Sequence, residues 1–93
     1  MFKVNTYFDG HVTSLGFENK EGAVTIGVMA SGEYEFGTST VEYMTVTSGK
    51  MTVLLPGETN WKTYKEFETF IVDKDKKFKV RVDESTSYRC MYK

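Results

Sequence analysis

Residues 22–56, GAVTIGVMASGEYEFGTSTVEYMTVTSGKMTVLLP, decide the fold. Short apolar/polar alternations are broken by single glycines, the pattern of antiparallel strands joined by tight turns. Val24, Ile26 and Val28 alternate against Ala23, Thr25, Gly27 and Met29, and Ser31-Gly32 turns the chain into Glu33–Phe36. Residues 41–47 and 51–55 read as the clearest hairpin, VEYMTVT-SGK-MTVLL. Gly49 can take the positive φ that a bulged turn needs. Pro56-Gly57 ends the second strand, because proline has no N–H to give the ladder.

Working outward, residues 5–18 (NTYFDGHVTSLGFE) read as two short strands around the turn pair Asp9-Gly10. Asn19-Lys20-Glu21-Gly22 is the next turn. Residues 76–83 (KKFKVRVD) put Phe78, Val80 and Val82 inside and Lys77, Lys79 and Arg81 in water. Residues 86–92 give a further strand with Tyr88, Cys90 and Tyr92 on one side. In residues 60–70 (NWKTYKEFETF), Trp61, Tyr64, Phe67 and Phe70 recur every third residue, which suits one face of a helix. Two strands, 61–64 and 67–72, are preferred, because the flanks are β-rich and aromatics favour strands. Asp73-Lys74-Asp75-Lys76-Lys77 reads as a solvated hairpin turn. Eight to ten short strands with regular turn signals argue for an all-β sandwich or small barrel.

At 93 residues the chain, 1–93, is expected to form one domain, since two cores would each fall below the usual folding size. Aromatics make up 15% of it and supply large buried areas. A second copy would help to cover sheet edges. The net charge is −1, from 12 basic and 13 acidic side chains, so nothing attracts a polyanion and no nucleic-acid partner is expected. One cysteine, Cys90, excludes an internal disulfide and suits a reducing, cytoplasmic setting. No apolar run approaches the ~18 residues that span a bilayer, so no membrane partner is expected.

Glu33 and Glu35 share one strand face, and Tyr34 and Phe36 the other. Alternation alone puts the aromatics in the core and the glutamates in water. A second reading puts the glutamates at the mouth of a cavity, accepting bonds from sugar hydroxyls or holding a cation. Glu42 is in line with Met44 and Val46, where an unpaired carboxylate would be costly to bury. It therefore needs either a ligand or a structural donor. His11 is the only histidine and reads as a turn-flanking surface residue. Cys90 reads as a small core hydrophobe. Arg81 and Arg89 are the only arginines, the side chains that match phosphate best. Arg81 falls on an outer face, and Arg89 has the opposite parity to Tyr88 and Cys90. No P-loop, dinucleotide fingerprint, G-x-S-x-G or H-E-x-x-H is present.

Two likenesses go beyond these patterns. Gly27 followed by Glu33-Tyr34-Glu35, then Glu42 followed by Gly49, is similar to the first signature of the cupin barrels, with glutamates where metal-binding histidines usually stand. More fully, the chain resembles the small bacterial pyrimidine/purine nucleoside phosphorylase family. The likeness rests on Asn5-x-Tyr7-Phe8-x-Gly10-x-Val12-x-Ser14-x-Gly16-Phe17 and on Gly27-Val28-Met29 leading to Gly32-Glu33-Tyr34. Glu42-x-Met44-x-Val46-x-x-Gly49, Val53-Leu54-Leu55-Pro56, Trp61, Tyr64 and Tyr88-x-Cys90-x-Tyr92 complete it.

The resemblance implies a cupin-type jelly-roll β-barrel and a cytoplasmic homodimer. It implies phosphorolysis of purine and pyrimidine nucleosides to free base and α-D-ribose 1-phosphate, with nucleosides and inorganic phosphate as partners. The reaction so implied needs no metal and no organic cofactor. Glu33-x-Glu35, and Asp73-Lys74-Asp75 in the second cupin region, would hold a hard cation only weakly. Glu33 and Glu42 are the expected catalytic carboxylates. Tyr34, Glu35, Met44, Tyr88 and Arg89 are the expected substrate-binding residues. A non-catalytic small-molecule or sugar-binding cupin, and a metal-dependent cupin enzyme, are the alternatives.

Overall fold

Side chains that alternate at period two can bury one face only as strands, and ten strands form. The computed structural model describes all 93 residues, Met1–Lys93. In chain order they are β1 (Lys3–Tyr7), β2 (Val12–Asn19), β3 (Gly22–Met29), β4 (Gly32–Gly37), β5 (Glu42–Ser48), β6 (Met51–Leu54), β7 (Lys62–Tyr64), β8 (Thr69–Val72), β9 (Lys77–Val82) and β10 (Thr86–Tyr92). Residues 60–70 thus supply parts of two strands, as their β-rich flanks led one to expect. No helix is long and apolar enough to cross a membrane.

The strands build two antiparallel sheets, β1-β2-β3-β10-β5-β8 and β4-β9-β6-β7. The first three strands form a meander. Beyond Met29 the chain changes sheet at almost every turn, which makes the double-sheet jelly roll. Between the sheets lies one core cluster that includes Val12, Met29, Val46, Met51, Val53 and Val80, none of them exposed. Each such side chain contributes about 1.5–3 kcal/mol by leaving water.

The pattern of residues 41–55 suggests a hairpin, and the structure separates its two arms. β5 pairs with β10 and β8, whereas β6 pairs with β9 and β7 in the other sheet. Met44 and Val46 thus enter the core from one sheet and Met51 and Val53 from the other. Alternation fixes which side chains turn inward and is silent on which strand lies alongside. Gly49, at φ 90°, makes this crossing tight: a Cβ there would sit 2.6 Å from the Thr86 Oγ1.

The Asp73–Lys77 stretch is likewise a crossing, from β8 in one sheet to β9 in the other, and not a hairpin turn. Buried Thr38 organises it. Its hydroxyl donates to the Asp73 carbonyl at 2.6 Å and accepts from the Lys76 N–H at 3.0 Å.

Candidate functional site

Three side chains on the inner face of β10 define one wall of a hollow: Tyr88, Cys90 and Tyr92. They share a face because they are two residues apart. Tyr88 is the register partner of Gly27 on β3, and Gly27 is in turn the partner of Ser14 on β2. Its ring therefore lies across a position without a side chain. Cys90 stands opposite Met44 on β5, and Tyr92 stands opposite Glu42. Sheet pairing alone brings Glu42 and Met44 beside the three β10 residues.

β4 and β9 supply the facing wall with Phe36, Gly37 and Phe78, and Tyr7 and Phe8 stand at the mouth. A ladder of rings leads inward from that mouth. Phe8 meets Phe36 edge-on at 5.7 Å between centroids, and Phe36 meets Phe78 at 5.7 Å. Phe8 and Asp9 both adopt left-handed backbone, at φ 53° and 56°. The His11 ring nitrogen Nδ1 lies 2.7 Å from the Phe8 carbonyl, so the only histidine braces this turn. The volume of the hollow is about 260 Å³, and it is open to solvent at the mouth.

The electrostatics of the hollow follow from burial. Glu42, half-buried, has its carboxyl held above the usual carboxylate range by desolvation, and a bond from Cys90 pulls part of the way back. The Cys90 thiol donates that bond to Glu42 Oε1 at 3.6 Å. Cys90 itself is pushed well up, by burial first and by the neighbouring carboxylate second. Tyr88 is pushed up to about 12, mostly by burial, with Cys90, Tyr7 and Glu42 adding and Ser14 opposing. Tyr92 is also raised by burial, although the Thr25 hydroxyl 2.9 Å from its own opposes the shift. The phenols and the thiol are thus neutral donors at physiological pH, arranged around one carboxylate.

The residues expected from the sequence divide. Glu42, Met44 and Tyr88 line the hollow, and Glu35 reaches its rim. Glu33 does not face it. Tyr34 and Phe36 take the inward positions of β4, so Glu33 points out and pairs with Arg81 at 3.3 Å, both half exposed. Arg81 in turn lies 4.2 Å from the Trp61 ring centroid. Tyr34 is a core residue whose hydroxyl donates to the Ala30 carbonyl at 2.6 Å. Arg89 is exposed on the outer face of the larger sheet, as its parity against Tyr88 requires. No lysine or arginine lines the hollow.

Sequence reasoning assigned Cys90 to the core and named no role for Tyr92, although both share the parity of Tyr88. That parity was the available signal. Ser14, Tyr7 and Phe8 come from the other end of the chain, and nothing local marks them. A cupin metal centre does not fit these donors. No group of three or more His, Cys, Asp or Glu side chains converges, and His11 is committed to the Phe8 turn.

Comparison with known proteins adds a family to this geometry. The family model described as pyrimidine/purine nucleoside phosphorylase matches residues 2–92. A protein of that name from Alcanivorax borkumensis is 54% identical over 92 residues, covering 99% of this chain and 98% of its own. A solved structure of a Vibrio parahaemolyticus protein of unknown function is 45% identical with a TM-score of 0.91, covering 97% of this chain and 96% of the other. The Drosophila melanogaster CENP-C cupin domain superposes with a TM-score of 0.75 at 14% identity, covering 99% of this chain and 70% of the other. That last likeness shows the cupin fold alone.

Proposed function

The chain belongs to the pyrimidine/purine nucleoside phosphorylase family, and from that membership we propose that it cleaves nucleosides with inorganic phosphate inside the Glu42 hollow. The products are the free base and α-D-ribose 1-phosphate, and both purine and pyrimidine nucleosides are accepted. The C1′–N bond breaks and its electron pair leaves with the base nitrogen, which takes up a proton. A phosphate oxygen forms the new bond to C1′ from the opposite face. Between the two, the ribose carries oxocarbenium character.

One observation carries the reading: a single desolvated carboxylate, Glu42, stands in the wall of a ring-lined hollow of about 260 Å³. A carboxylate there accepts bonds from the ribose hydroxyls and steadies the developing positive charge. Its strength comes from the low local dielectric. Tyr88, Phe36 and Phe8 offer faces on which a base stacks whatever its identity, which supports broad specificity. With no cation in the lining, phosphate depends on neutral donors, and the hydroxyls of Ser14, Tyr88 and Tyr92 are the ones at hand. The protein acts in the cytoplasm and as a homodimer in this reading.

The test is release of free base from uridine, adenosine or inosine, with and without phosphate. Release that requires phosphate is the expected result. The cation-free lining favours a second reading, a cupin that binds a small molecule without turning it over. Thermal stabilisation by a nucleoside with no base released would decide for it.

A further inference from the structure

The two sheets have unlike outer faces. On the smaller sheet the outward positions of β4 and β9 are charged: Glu33 lies across from Arg81 and Glu35 across from Lys79. The larger sheet is the reverse. One rank of outward positions runs Phe17, Val24, Met91, Tyr43 and Ile71 across five strands, Val24 itself being buried at 3% exposure. A second runs Val4, Leu15 and Ile26 across three strands and ends at Arg89. Val28 continues the patch on β3. The five aliphatic side chains Val4, Leu15, Ile26, Val28 and Ile71 are between 41% and 62% exposed.

The remaining corner of the face is made of hydroxyls that satisfy one another across strands. Thr45 meets Thr69 at 2.7 Å, and Thr47 meets Ser87 at 2.7 Å. Arg89 is the one charged residue among the outward strand positions of this sheet. An apolar centre bordered by hydroxyls and a single arginine has the anatomy of an interface core with a polar rim. A monomer rarely leaves so continuous a patch in water.

We propose that this face is where two copies of the chain stack, sheet against sheet. Six strands and three ranks of side chains give roughly 600 Å² in projection, and side-chain relief brings that toward the roughly 800 Å² per partner of a standard stable interface. An apolar face of this kind can meet its own copy, as a twofold contact demands. A net charge of −1 per chain sets no repulsion against it. Aligned sheets stack about 10 Å apart through such ranks. The inference rests on the homodimer proposed above and names its face; it is independent of the reaction.

Sedimentation at micromolar concentration is expected to give twice the 10.7 kDa mass of one chain. Ile26→Lys combined with Val28→Lys is expected to return the mass to that of one chain with an unchanged far-ultraviolet dichroism spectrum, since both side chains already point away from the core. A second readout does not depend on that variant folding. Cys90 is buried, so Val28→Cys or Glu33→Cys places a single accessible thiol on one sheet or the other. A bulky maleimide should label Val28→Cys several-fold more slowly than Glu33→Cys, and the difference should vanish on dilution to monomer. A monomeric wild type, which would leave the face to some other partner, overturns the proposal. So does a folded double-lysine variant that stays dimeric, or equal labelling at the two positions. Base release measured on the same preparations reports on the reaction separately: its absence in an intact dimer counts against the chemistry and not against the face.

Discussion

The ring of Tyr88 occupies the space that a side chain at residue 27 would need. A Cβ on Gly27 would sit 2.5 Å from the Tyr88 Oη, and the two residues are direct partners on β3 and β10. Gly27 has no unusual backbone angle to excuse it; it is there for room. Gly27→Ala is expected to lift the ring off the sheet. The cost of such overpacking is about 1–3 kcal/mol, read from the urea midpoint, and kcat/KM should fall with it. If midpoint and activity both hold, the ring has another place to go and is not the base platform.

Glu42→Gln separates chemistry from folding. The amide keeps the shape and loses the charge that the proposed reaction uses, so kcat should drop about 10²–10³-fold, the scale of removing one oriented electrostatic group. Stability should hold or rise, because a desolvated carboxyl has been replaced by a neutral group. Steady-state phosphorolysis beside urea unfolding checks both. Wild-type turnover would take Glu42 out of the mechanism.

The pH profile tests the same residue from another side. Burial holds the Glu42 carboxyl above its ordinary range and the Cys90 thiol opposes that. The acid limb of kcat should therefore lie above the usual glutamate range. Cys90→Ala removes the opposing bond and should move the limb higher still. Stability runs the other way. The folded state binds this proton more tightly than the unfolded chain does, so stability falls as pH rises from the unfolded value through the folded one. Urea titrations at several pH values should show that fall in the wild type and a flatter response in Glu42→Gln.

Glu33 supplies the contrast. Its bond to Arg81 is exposed on both sides, and such pairs contribute at most about 1 kcal/mol. Glu33→Ala should leave kcat unchanged and move the urea midpoint barely at all. A large loss of activity would mean that the outer face of β4 takes part in the reaction.

Much of this was legible in the residues. Period-two alternation gave the strands and the direction of each side chain, including Phe78, Val80 and Val82 inward and Arg81 outward. It gave Glu42 its place beside Met44. What alternation cannot carry is pairing. The hairpin expected at residues 41–55 came apart because β5 and β6 bury their apolar ranks from opposite sheets. Glu33 follows the alternation and not the cavity-mouth reading, because two aromatics on β4 have the stronger claim to the inside. Cys90 packs in the core as its strand pattern predicts, and a lone thiol in an apolar strand signals nothing more. Its bond to Glu42 exists only once β10 lies against β5. Phe8 and Tyr7 reach the mouth through a turn far from β10 in sequence, a contact that no local pattern encodes.

β10 lies between β3 and β5 in the larger sheet. Until residues 86–92 slot in, that sheet is two unconnected pieces, a meander and a pair. Joining them takes contacts between stretches far apart along the chain, and a topology of that kind folds slowly. The same central strand brings Tyr88, Cys90 and Tyr92. The strand that joins the two pieces of the sheet is therefore also the one that supplies this wall of the hollow.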